Sequence, residues 1–122
     1  MNFNYKQSIQ KHLYEYYDGV PLIEIRTFNN TDYLLYAIYF DKTLDKCEYM
    51  LAVVDRNGFE QLTLQGMLPF LHEKLKANTL YHYTSGFWED SLTQDVIRLL
   101  TTDEVKEVFP LEDFVLDFAY LA

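Results

Sequence analysis

The sequence is poor in the residues that cross-link or interrupt a chain. It has one cysteine, Cys47, in 122 residues, which excludes an intramolecular disulfide and any zinc site built on several cysteines. Four glycines and three prolines leave no composition for a flexible linker or a low-complexity tract, and there is no internal repeat. Bases are scarce as well. Ten Lys and Arg stand against nineteen Asp and Glu, a formal charge of −9, whereas a nucleic-acid-binding surface needs clustered cations for phosphate. The longest uncharged, mostly apolar run is Tyr33 to Phe40, far short of the roughly 20 residues a membrane helix requires. Met1-Asn2-Phe3-Asn4-Tyr5-Lys6 lacks the apolar stretch of a signal peptide. These absences predict a soluble, cytoplasmic protein without membrane or direct nucleic-acid contacts.

Hydrophobic residues make up 49% of the chain and aromatics 17%, enough for the core of a single domain over 1–122. Tyr5, Ile9, His12, Leu13 and Tyr16 recur at helical spacing, Asn4 with Gln7 reads as a capping box, and Asp18-Gly19 reads as a stop. An N-terminal helix is therefore expected. Leu22 to Arg26 alternates isoleucine with charge, as in a strand with one wet face. Asn29-Asn30-Thr31-Asp32 is a turn cluster, and Tyr33 to Phe40 suits a central strand. A charged loop, Asp41 to Lys46, leads to a strand over Glu48 to Val54. Asp55-Arg56-Asn57-Gly58 then signals a hairpin returning through Phe59 to Leu64. Leu68, Leu71 and Leu75 share a helical face, with Pro69 confined to a first turn. Leu80 to Thr84 reads as a strand, Val96 to Leu100 suits a strand or a helix with the strand favoured, and Thr102-Asp103 opens a short helix ending at Phe109-Pro110. The expected class is α+β: an N-terminal helix, an antiparallel meander of about five or six strands, and short helices.

Catalytic motifs are missing. The chain has no Gly-x-Ser-x-Gly elbow, phosphate loop or dinucleotide fingerprint. His12, His72 and His82 lack the short spacings of a metal site, and no Asp-x-Asp-x-Asp-Gly calcium loop occurs. His82 with Ser85, or His72 with Glu73, are the pairings an acid–base enzyme would use. The plain readings are a strand histidine between two tyrosines and adjacent residues that point apart. Lys46 beside Cys47 is the arrangement that lowers a thiol pKa, against which stands a small hydrophobe at a strand start. No cofactor, metal or catalytic residue is expected.

Charge is segregated. Residues 1–86 hold ten acids and eight bases, a net −2. Residues 87–122 hold nine acids and two bases, Arg98 and Lys106, a net −7. The acids alternate there with Phe87, Trp88, Val108, Phe109, Leu111, Phe114, Phe118 and Tyr120. Such a pattern either completes a core behind a solubilising acidic face or frames aromatic anchors for a basic protein. The candidate binding face comprises Trp88, Glu89, Asp90, Asp103, Glu104, Glu107, Glu112, Asp113 and Asp117. Eleven tyrosines add contact area: at least one of Tyr14, Tyr16 and Tyr17 should be exposed, and Tyr33 and Tyr39 should face away from Tyr36.

Two stretches resemble an uncharacterised bacterial domain family of unknown function. The first is Tyr17-Asp18-Gly19-Val20-Pro21-Leu22 with Tyr33-Leu34 and Glu48-Tyr49-Met50-Leu51-Ala52-Val53. The second is Leu100-Thr101-Thr102-Asp103-Glu104-Val105 with Phe109-Pro110-Leu111-Glu112-Asp113. That family places proline directly after the Asp-Gly pair, where Val20 intervenes here. The resemblance implies a sheet-centred module from phage, mobile-element or defence-linked loci, and it transfers no catalytic residue. The functional expectation is a small, acidic, non-catalytic module that engages a basic protein surface, as an inhibitor, an immunity protein or a DNA mimic. The alternatives are an accessory or homo-oligomeric structural domain of a larger bacterial system, a homodimer among its forms, and a small hydrolase-type enzyme.

Overall fold

Aromatic and β-branched residues crowd the first half of the chain, and they build strands. The structure is a computed structural model in which residues 1–17, 19–41, 43–55, 61–86 and 94–102 are described. Six strands, β1 (Ile9–Tyr17), β2 (Val20–Phe28), β3 (Thr31–Asp41), β4 (Lys46–Val54), β5 (Tyr81–Ser85) and β6 (Val96–Leu99), form one antiparallel sheet in sequence order. Helix α1 (Met67–Lys76) lies between β4 and β5 in the chain. The architecture is thus mostly β with a short helix, not the expected α+β arrangement.

The N-terminal helix is replaced by β1. Its capping signal is real but local: the Gln7 N–H donates to Asn4 Oδ1 at 3.0 Å, and Ser8 N–H to the Tyr5 carbonyl at 3.1 Å, closing a turn that no helix continues. The helical spacing arises from irregular register. Against β2, strand β1 shifts between Gln10 and His12, between Leu13 and Glu15, and between Glu15 and Tyr16. Each added residue breaks the two-residue period of a strand, so residues three or four apart come to share a face. Ladder bonds to β2 and the β-preference of Ile and Tyr then outweigh helix propensity.

Turn chemistry sets the hairpins. Phe28 pairs with Thr31 across Asn29 (φ 51°) and Asn30 (φ 62°), the two left-handed residues that match the twist of paired strands. The Asp41 carboxylate accepts from the N–H groups of Thr43 and Leu44 at 2.9 and 3.1 Å and so folds the β3–β4 connection. The return strand expected over Phe59 to Leu64 does not form at its described residues. Leu64–Gly66 is a 3-10 turn capped by Thr63, and the neighbours of β4 are β3 and β5, which leaves no vacant edge beside it. The hairpin tip at 56–60 and the acidic helix expected from Asp103 lie outside the described residues.

Central strand β3 is buried on both faces. One face presents Leu34 and Tyr36 with Ile23, Ile25, Met50 and Ala52, and these share a core with Met67, Leu71 and Leu75 of α1. On the other face, Tyr33 and Leu35 lie beside Leu51, Tyr49 and Tyr83, under the N-terminal segment. A register shift between Ala37 and Tyr39 brings Tyr39 opposite Glu48, onto the same face as Tyr36, contrary to simple alternation. Asn30→Ala should lower the unfolding free energy by about 1 kcal/mol while Asn30→Gly retains it, because only glycine adopts that left-handed conformation without cost. Urea denaturation of the two variants measures the difference.

Candidate functional site

The alternation of charge and isoleucine in β2 predicts a wet face, yet that face is covered. Glu24 is fully buried and Arg26 nearly so. Side chains two apart on a strand lie next to each other, and Arg26 Nη1 reaches Glu24 Oε1 at 2.8 Å. Residues 1–8, the N-terminal strap, close over this pair. The Tyr5 hydroxyl donates to Glu24 Oε2 at 2.7 Å, and Gln10 Nε2 of β1 donates to Oε1 at 3.1 Å. Arg26 Nε donates to Ser8 Oγ, Arg26 Nη2 to the Ser8 carbonyl at 3.0 Å, and the guanidinium sits 4.1 Å over the Tyr5 ring. Among the described residues, no buried side-chain donor or acceptor lacks a partner.

Aromatic stacking continues the cluster. Tyr5 stacks on Tyr49 and Tyr49 on Tyr83, each pair with ring centroids 6.0 Å apart. The Tyr83 hydroxyl donates to Asp95 and accepts from the Tyr5 backbone N–H at 3.0 Å. Phe3 fills the remaining space against Tyr33, Tyr83 and Phe28 at 4.8, 5.2 and 5.8 Å. Burial foremost, with the Glu24 charge second, pushes the Tyr5 hydroxyl pKa up. Burial likewise pushes Tyr36 up to about 12 and raises Tyr49 and Tyr83. Tyr5, Glu24 and Arg26 were invisible as a site in the sequence. The one available signal is an acid and a base two residues apart in a strand.

The sequence-level candidates are separated. His82 pairs with Met50 in register and contacts Glu48 Oε1 at 2.8 Å, while Ser85 pairs with Cys47 on the opposite face, so the two never meet. His72 and Glu73 are both exposed on α1. Cys47 is fully buried, and burial pushes its thiol up to about 12, the reverse of activation. Lys46 extends toward Glu48 instead, at 3.7 Å. No group of three or more His, Cys, Asp or Glu able to hold a metal ion occurs among the described residues. No described helix is long and apolar enough to cross a membrane. Trp88, Glu89, Asp90, Asp103, Glu104, Glu107, Glu112, Asp113 and Asp117 lie outside the described residues.

No protein-family model, curated protein or solved structure matches the chain.

Two predictions follow from the buried cluster. Arg26→Met strands a buried carboxylate and should cost about 3 kcal/mol, and adding Glu24→Met should recover most of it, since a buried ion pair exchanges for apolar groups at little net cost. Urea unfolding of the single and double variants gives the comparison. The second concerns pH. Tyr5, Tyr36, Tyr49, Tyr83 and Cys47 all keep their protons in the folded chain where unfolded tyrosine and cysteine lose them. The folded state then binds more protons, so stability is fully present below about pH 8.5 and declines as pH rises beyond it. Denaturation curves from pH 7 to pH 11 should show a monotonic fall over the upper part of that range.

Proposed function

We propose that the chain is a small, non-catalytic protein-binding module whose acidic segment, residues 87–122, engages a basic surface on another protein. The observation that carries this reading is where negative charge is left over. Three carboxylates set into the sheet have cationic partners within it. Glu24 has Arg26, Asp32 has Lys11 at 2.7 Å with the Thr27 hydroxyl, and Glu48 has Lys46 and His82. Residues 1–86, which carry five of the six strands and α1, are close to balanced at −2, and a net −7 falls on the last 36 residues, which include β6, with large apolar groups between the acids. Acids around aromatic anchors speed encounter with a cationic surface and select against acidic partners. An inhibitor or immunity protein in a phage or defence setting, including one that mimics DNA, fits this chemistry.

A second reading, self-association as a structural domain, draws on β1. It is an edge strand with Ile9 73% and Tyr16 64% exposed, and Leu13 and Tyr17 also at the surface. Its register shifts disfavour backbone pairing with another strand, so side chains would make the contact. A strictly monomeric mass by light scattering at high concentration removes this reading.

For the leading reading, Glu104, Glu107, Glu112 and Asp113 are replaced together by lysine. The tagged native chain should retain a basic protein from host lysate in a salt-sensitive manner, and the folded variant should bind that protein, once purified, at least about tenfold more weakly. Equal binding by the two would refute it.

A further inference from the structure

The N-terminal strap is attached to the sheet in an unusual way. It belongs to no strand, and among the described residues no backbone–backbone hydrogen bond ties it to the strands ahead. The Tyr5 N–H bonds to the Tyr83 hydroxyl, the Asn2 carbonyl accepts from the Tyr33 hydroxyl at 3.4 Å, and the Ser8 carbonyl accepts from Arg26. The surface beneath it is organised without it. Glu24 and Arg26 pair directly, and Gln10 from β1 adds its own donor. The rings of Tyr33, Tyr49 and Tyr83 stand on β3, β4 and β5, held by ladder pairing. Removing the strap would leave an aromatic groove with a carboxylate acceptor and a guanidinium at one end, features that fit a phenol ring with its hydroxyl.

We propose that strap and groove form a detachable recognition pair. The groove takes an extended segment carrying phenylalanine and tyrosine two residues apart, and Phe3-Asn4-Tyr5 of the chain itself is its resident occupant. Phe3 fills the aromatic end, between Phe28, Tyr33 and Tyr83. Tyr5 fills the polar end, its ring under Arg26 and its hydroxyl on Glu24. Segments held by side chains and not by a ladder open locally at a lower free energy than the sheet unfolds. The inference is independent of the acidic segment and stands or falls separately from the binding role assigned to it.

Cys47 supplies the reporter. It is the chain's one thiol, it is fully buried, and it shares the strap-covered face with Tyr49, its neighbour two residues along β4. Labelling by an aromatic disulfide reagent is followed in increasing urea for the full-length chain, for Tyr5→Phe and for Phe3→Ala/Tyr5→Ala. A synthetic peptide with the sequence of Met1–Ser8 is then added, alongside a control peptide with alanine at both aromatic positions. The native chain should label through an opening that is nearly insensitive to low urea. Tyr5→Phe should label about tenfold faster through loss of a charge-assisted hydrogen bond, and the double variant faster still. The strap peptide should slow labelling of the double variant saturably, and the alanine peptide should not. Labelling that follows global unfolding in every chain overturns the proposal, as does equal protection by the two peptides. If circular dichroism shows the double variant unfolded, Tyr5→Phe with the two peptides decides by the same criteria.

Discussion

The structure depends on the burial of one ion pair. Glu24 and Arg26 lie on a face of the sheet that also carries Leu35 and Leu51, so the charges are enclosed with the core. Two charges taken out of water are tolerated only when their remaining hydrogen-bonding capacity is met. Tyr5, Ser8 and Gln10 meet it, and this fixes the path of the first eight residues across the sheet. The aromatic stack from Tyr5 through Tyr49 to Tyr83 then falls into place beside the pair. A purely apolar face would hold the strap by area alone, which sets no register. Directional bonds to a carboxylate and a guanidinium set it.

The buried apolar residues of the sheet form one core with the stripe Met67, Leu71 and Leu75 of α1. The face under the N-terminal strap is finished by rings and charges. Glu24, Asp32 and Glu48 have cationic partners within the sheet, and the excess negative charge of the sequence is concentrated in its last 36 residues.

Strands β2 to β5 and helix α1 are legible in the sequence because each has a strong local cause, whereas Val96 to Leu100 is open to either strand or helix until β5 pairs with it. Asn29-Asn30 supplies left-handed residues at a hairpin, Tyr33 to Phe40 is apolar on both sides, and Leu71 and Leu75 sit one turn apart after a proline confined to the first turn. Strand β1 reads as a helix in the sequence because its register shifts imitate helical spacing, while the Asn4 cap closes only one turn. The residues 61–64 were misread for another reason. Hydrophobic content alone does not create a strand when both neighbours of β4 are already in place. The candidate pairing of His82 with Ser85 failed on parity, since residues three apart in a regular strand face opposite ways.

By itself the sequence determined the antiparallel pairing of strands, the Asn29-Asn30 turn, the setting of Cys47 at a strand start and the segregation of charge, all properties of neighbouring residues or of simple counts. Only the tertiary structure decided that Glu24 and Arg26 are buried, that Tyr5 and Ser8 complete them, and that residues 1–8 run as a strap and not a helix. Those outcomes join groups far apart in the chain, as when Tyr83 meets the Tyr5 backbone 78 positions away. Periodicity reports which side a residue takes within its own element, whereas burial depends on what the rest of the chain lays over that side.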